Sequence, residues 1–190
     1  MPYDDKMIED FVLELKSSEP DTLVLFILRS RGRPVAKTRL QKEALILDRA
    51  YGYENEHEAY HFGGYSDDID ESYSTLSDVG IISSGSNGMT LTNFGRTVAD
   101  RMASEKVDSD NCERIELLEK AIGHIDDRSL VAVTYHLFPE LAEESVIRGP
   151  IRSIIDTAVL NSRPLKEWTA DEFLECVRNG IPMTVRRVAA

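Results

Sequence analysis

The sequence predicts a mainly α-helical chain that carries one small β-hairpin. Three observations predict it. Apolar residues recur at helical spacing over most of the 190 positions. Residues suited to helix caps stand before those stripes and glycines after them. The turn sequence Gly85-Ser86-Asn87-Gly88 separates two short apolar runs, and Asn-Gly favours a tight hairpin.

Met7, Ile8, Phe11, Val12 and Leu15 predict an amphipathic helix over residues 3–16, ended by residues 17–20. Asp21 is placed to cap a second helix, residues 22–30, with Leu23, Phe26 and Ile27 inward and Gly32 as its stop. Thr38 starts a third helix. Gln41 three residues later predicts a capping box, in which each side chain satisfies an orphan backbone N–H. Leu40, Ala44, Leu45, Leu47 and Tyr51 form its apolar stripe, and Gly52 closes it. Residues 53–65 read as extended. Ser66 is placed to cap a helix reaching Val79, with Ile69, Tyr73, Leu76 and Val79 buried and Asp67 and Asp68 at the positive end of the dipole. Ile81, Ile82 and residues 89–91 form the hairpin strands. Thr92 caps a further helix to about Ala103, with Phe94, Val98 and Met102 inward.

Residues 104–110 are polar and read as a linker, and the remainder reads as helical. Ile115, Leu118 and Ile122 mark one helix. Asp127 is placed to cap a second, residues 129–137. Pro150 suits the first turn of a third, with Ile151, Ile154, Ile155 and Ala158 buried. Thr169 and Glu172 predict a capping box for a last short helix that stops at Gly180.

The order helix, helix, helix, hairpin, helix over residues 21–104 is that of a winged helix. The expected organisation is therefore a winged helix-turn-helix domain with an N-terminal helix, residues 1–104, and a helical C-terminal extension, residues 105–190. The wording also resembles known families. Thr38-Arg39-Leu40-Gln41-Lys42 followed by Tyr60-His61-Phe62-Gly63-Gly64-Tyr65-Ser66 resembles the LQK … YGPYS pattern of archaeal and bacterial winged-helix proteins, and also the Panacea domain of bacterial antitoxins. Gly64 stands where that pattern has proline. Val79-Gly80-Ile81-Ile82 and Leu91-Thr92-Asn93-Phe94-Gly95 resemble the LGLI and LTEEG segments that bracket many wings. Residues 135–140 resemble a VYEKYPEY segment that follows the domain in such proteins. The resemblance implies a transcriptional-regulator-like or antitoxin-like protein, and it supplies no catalytic set to transfer.

The totals bound the function classes. With 42% hydrophobic and 29% charged residues the chain can fold around a core, and its net charge of −12 repels nucleic acid at long range. Two cysteines without CxxC spacing fit a reducing compartment. No signal-peptide pattern opens the sequence, and its apolar run at residues 23–28 is too short to cross a bilayer, so a soluble, cytoplasmic protein without membrane contact is expected.

His57-Glu58-Ala59-Tyr60-His61 matches the HExxH pattern of zinc peptidases, in which two histidines one helical turn apart bind the metal. That chemistry requires a helix. In an extended segment the imidazoles stand roughly 13 Å apart, too far to share a zinc. No metal site, cofactor or catalytic residue is expected, and no Walker A, GxSxG or GxGxxG motif occurs.

Two charge patterns carry the partner readings. Residues 29–49 hold seven cations against Glu43 and Asp48, a local +5, and Arg31, Arg33, Lys37, Arg39, Lys42 and Arg49 are the candidate nucleic-acid contacts. Arg39, Lys42 and Arg49 are expected to share one helix face. Against this, residues 66–80 occupy the place of a recognition helix and carry Asp67, Asp68, Asp70, Glu71 and Asp78, with no Lys, Arg, Asn or Gln to read bases. The wing, residues 83–88, is uncharged. One reading is thus a DNA-associated transcriptional regulator. The alternative is a protein–protein interaction module, antitoxin-like or an adaptor, which engages a basic partner through Asp67, Asp68, Asp70 and Glu71. A homodimer through the helical extension is compatible with both. Arg178, Arg186 and Arg187 form a further small basic cluster, and Trp168 reads as a packing residue.

Overall fold

The computed structural model describes residues 4–53, 55–105 and 109–187. Tyr3 of the expected first helix and residues 106–108 of the expected linker lie outside them. The described residues form nine α-helices and two small antiparallel sheets.

The first helix, α1, spans Asp5–Leu15 and buries Ile8, Val12 and Leu15. Helix α2, Glu19–Arg31, starts earlier than the expected residue 22. Ser18 is its cap, accepting from the Asp21 N–H, and Pro20 sits in the first turn, where its missing N–H costs nothing. Gly32 ends it in the left-handed conformation (φ 58°). Seven consecutive residues of α2, from Thr22 to Leu28, are buried. A helix apolar on all sides is an interior helix, and α2 packs against α4, α5 and the hairpin and also against α6.

Helix α3, Lys37–Tyr51, also departs from expectation at its start. Ala36 holds the cap position, and neither Thr38 nor Gln41 closes a box there. After the extended segment, α4 spans Asp67–Asp78 and buries Ile69, Ser72 and Leu76. Tyr73 is only partly covered and Val79 is 43% exposed, so half of the expected apolar face looks outward. Strands β1 (Ile82–Gly85) and β2 (Gly88–Leu91) pair in the register Ile82↔Leu91 and Gly85↔Gly88, as the Asn-Gly turn predicts. Val35 adds an antiparallel bridge to Met89. Helix α5, Asn93–Ser104, is capped by the Thr92 hydroxyl.

Helices α6 (Ser109–Ile122), α7 (Asp127–Leu137), α8 (Arg148–Thr157) and α9 (Ala170–Arg178) follow, with a 3-10 turn at Pro139–Ala142. Asp126, one residue before the expected Asp127, caps α7 by accepting from the Ser129 N–H and hydroxyl. Thr169 and Glu172 form the expected capping box on α9. The all-helical expectation for this half is corrected by a second sheet, in which β3 (Ala158–Leu160) lies between β4 (Arg163–Pro164) and β5 (Val185–Arg187). Its strands of two or three residues are too short to show a period of two. The β3–β4 turn rests on Asn161 (φ 46°) and Ser162 (φ 73°) rather than on glycine.

One hydrophobic core joins both halves of the chain. Helix α6 lies on α2, while α7 and α9 lie on α3. A buried charge network crosses the same boundary. Glu43 of α3 accepts from both Arg31 of α2 and Arg39 of α3. Arg39 also reaches Asp127 and the Ile125 carbonyl, each at 2.7 Å, and Arg31 lies 2.7 Å from Glu119 of α6.

Candidate functional site

Three of the six candidate nucleic-acid contacts are inside the protein. Arg31 and Arg39 are 8% and 4% exposed and are held in the Glu43 network; Lys42 is 1% exposed. Burial works against the Arg39 charge, but Glu43 and Asp127 outweigh it and raise its pKa. Burial pushes the Glu119 carboxyl up. Of the other three, Arg33 is exposed, Lys37 is tied to Asp70, and Arg49 lies 3.4 Å from Glu140 with its guanidinium over the Phe138 ring. The expected shared face of Arg39, Lys42 and Arg49 is therefore corrected. Arg39 and Lys42 point into the core and only Arg49 faces solvent, because eleven of the fifteen residues of α3 are covered by neighbouring elements.

The residues of α3 build a different surface. Leu40 is in the core, Gln41 clasps Ser66, and Lys42 holds Gly64. The Gln41 Nε2 donates to the Ser66 carbonyl at 3.0 Å, and the Ser66 N–H donates back to Gln41 Oε1 at 2.8 Å. The Lys42 ammonium donates to the Gly64 carbonyl at 2.8 Å. Two successive side chains, Gln41 and Lys42, thus fasten residues 64–66 onto α3 and set the start of α4. Gly64 permits the close approach, since a Cβ there would meet Leu141 at 2.9 Å and Leu45 at 3.0 Å. Gly63 turns with φ 80°, and a Cβ there would stand 2.4 Å from the Tyr135 ring.

Upstream, Glu58 and Tyr65 exchange backbone hydrogen bonds of 2.8 and 2.9 Å, so residues 58–65 form a narrow loop. The Tyr60 and Tyr65 rings lie 5.0 Å apart on it. Beside them opens a groove of about 390 Å³ lined by Glu56, Glu58, Tyr60, Tyr65, Asp67 and Asp68. Four carboxylates and two aromatic rings line it, and no basic side chain does. Of the candidate partner residues, Asp67, Asp68 and Glu71 are exposed, while Asp70 is half-buried. Burial opposes the Asp70 charge, yet Lys37 and the Tyr65 hydroxyl hold its carboxyl below the usual range. The Lys37 ammonium lies 6.0 Å from the Tyr65 ring and 5.8 Å from the Tyr73 ring, a cation between two aromatic faces and a carboxylate. Glu56, Glu58, Tyr60 and Tyr65 were not singled out by charge reading of α4 alone. The alternation of Glu58, Tyr60 and Phe62 on one side of the extended segment was the available signal.

A second cavity of about 290 Å³ shares Tyr60 and Tyr65 and is lined also by Lys37, Gln41, Lys42 and Phe62. Burial lowers the Lys42 pKa to about 7.

The HExxH string is not helical. His57 pairs with the Asp48 carboxylate, which also accepts from Asn55 at 2.8 Å. His61 is exposed and stacks on Tyr60, 4.5 Å between ring centres. Among the described residues no group of three or more His, Cys, Asp or Glu side chains is arranged to hold a metal, and no helix is long and apolar enough to cross a membrane. No family model matches the chain, and neither a curated protein nor a solved structure shows significant similarity to it.

Proposed function

We propose that this protein is a non-catalytic interaction module that docks a basic segment of a partner protein in the groove beside Tyr60 and Tyr65. The observation that carries the reading is the convergence of Glu56, Glu58, Asp67 and Asp68 on that pair of rings without a cation among them. An arginine or lysine laid across the rings gains a cation–π contact of about 0.5–2 kcal/mol and meets carboxylates at its tip. Lys37 supports this from within the chain, since its ammonium sits between Tyr65 and Tyr73 against Asp70. The order α2, α3, α4, hairpin, α5 supports a winged-helix scaffold beneath the groove. On that scaffold the helix in the recognition position is acidic and the hairpin is uncharged. The DNA-associated regulator is the weaker reading, because half of its basic patch is buried.

A fluorescent nona-arginine peptide, followed by anisotropy, tests the proposal. Combined Glu58→Gln, Asp67→Asn and Asp68→Asn substitution is expected to weaken binding at least tenfold. A control with the same loss of charge on α1, Glu9→Gln, Asp10→Asn and Glu14→Gln, is expected to bind as the native chain does. Equal weakening in both would reduce the effect to general acidity and overturn the groove. Labelled duplex DNA is expected not to bind at low salt, and tight, salt-sensitive binding would restore the DNA reading.

A further inference from the structure

We infer that the cavity lined by Lys42 is a site for a small planar aldehyde, which the lysine amine captures as an imine. The inference stands apart from the docking groove, although the two share Tyr60 and Tyr65.

The geometry has three parts. Lys42 lines a cavity of about 290 Å³ while being 1% exposed, so it is shielded from bulk water, unlike the exposed Lys37 that also lines the cavity. Tyr60 and Phe62 also line the cavity and are 47% and 48% exposed, which places two rings at its mouth. Flat rings beside the cavity suit a planar ligand that stacks on them. Finally, the only protein acceptor within hydrogen-bond reach of the Lys42 amine among the described residues is the Gly64 carbonyl at 2.8 Å, and no carboxylate pairs with it. A lysine without a counter-ion in a dry pocket gives up its proton easily, and the neutral amine is the nucleophile.

The step balances with the aldehyde alone. The amine lone pair adds to the carbonyl carbon, both amine hydrogens leave with the carbonyl oxygen as water, and a C=N bond replaces C=O. The dry, unpaired setting that favours the neutral amine also favours the neutral imine, which has no N–H, so capture releases the Gly64 carbonyl. Surface lysines lack the means to favour the neutral amine at neutral pH, so they react more slowly there.

Salicylaldehyde serves as the probe, with cyanoborohydride reduction and peptide mapping by mass spectrometry at pH 7.5 on the whole chain. The expected result is one dominant adduct on Lys42, at least tenfold above that on any of the other six lysines of the sequence. Its yield should rise with pH around a midpoint near 7, where burial places the Lys42 pKa. Adducts spread evenly over the lysines, or a dominant adduct elsewhere with Lys42 spared, would overturn the inference. Lys42→Met, checked by circular dichroism, should lose the dominant adduct, and the native chain decides the matter whether or not that variant folds.

Discussion

Lys42 shows how one residue changes meaning between sequence and structure. By spacing it belongs to a basic stripe; by packing it is a buried amine on the Gly64 carbonyl. Its folded pKa, about 7, lies below the ordinary lysine value of 10.5. Between those limits the unfolded chain holds a proton that the folded chain has released, so raising the pH favours folding across that window. The contribution is at its least favourable below pH 7 and is fully relieved above pH 10.5. Urea denaturation at pH 7, 8 and 9 is expected to show the native chain gaining stability relative to Lys42→Met, at up to about 1.4 kcal/mol per pH unit. A constant difference across that range would contradict the buried, neutralised amine. Gln41 teaches the same lesson without charge. It and Thr38 have the spacing of a capping box, as do Thr169 and Glu172, yet only the second pair forms one. Glu172 is exposed and free to fold back on its own helix end, whereas Gln41 is buried and satisfied at both ends by Ser66.

At the scale of elements, α3 organises the molecule. Its outer turns touch α2 and α6, its length carries α7 and α9, and its polar residues pin the loop that leads into α4. The Arg31–Glu43–Arg39 network lies where α2 and α3 meet the later helices. Removing one member takes a partner from charges that stay buried, and breaking such a pair costs up to about 3–5 kcal/mol. Arg39→Met is therefore expected to lose about that much in urea denaturation, because Glu43 and the Ile122 and Ile125 carbonyls lose a donor. Arg49→Met on the same helix is expected to change stability by less than about 1 kcal/mol, since its pairing with Glu140 is exposed. Similar losses for the two variants would show that the network is not buried as described. The i, i+4 spacing of Arg39 and Glu43 was visible in the sequence, and it marks a helix that neutralises its own charge before meeting any partner.

The whole molecule does not divide cleanly where the polar stretch at residues 104–110 suggests. The core cluster runs through both sides of that stretch, and α2 is apolar all round because α6 covers the side that the first four helices leave open. A chain truncated after Ser104 would expose that side of α2 together with Arg31 and Arg39 stripped of Glu119 and Asp127. Such a fragment is expected to lack a cooperative thermal transition and to aggregate, as read by circular dichroism and light scattering. A fragment that melted cooperatively with the helix content of the parent segment would establish residues 1–104 as an independent domain. The net charge of −12 is also a property of this scale. With Arg31 and Arg39 internal, the field that a polyanion meets is acidic, and it favours a cationic partner.

Most helices could be read in advance because a helix is decided by neighbours three and four residues away. Its cap, its apolar stripe and its stop all fall within one short window, as Thr92 with α5 and Asn87-Gly88 with the hairpin illustrate. The acidic face of α4 was legible for the same reason. The second sheet was not, since β3, β4 and β5 are two or three residues long and β5 joins β3 from about twenty-five residues away in the chain, with Leu160 opposite Val185. Nor was the fate of the cations on α3. Charged and apolar residues alternate around that helix, and which of them meets water depends on the elements that arrive from residues 109–187. Local elements and the sign of their charge follow from residues a few positions apart, whereas the burial of Arg31, Arg39 and Lys42 and the shared groove of Glu58, Tyr60, Asp67 and Asp68 follow from packing, because burial is set by contacts between segments distant in the chain.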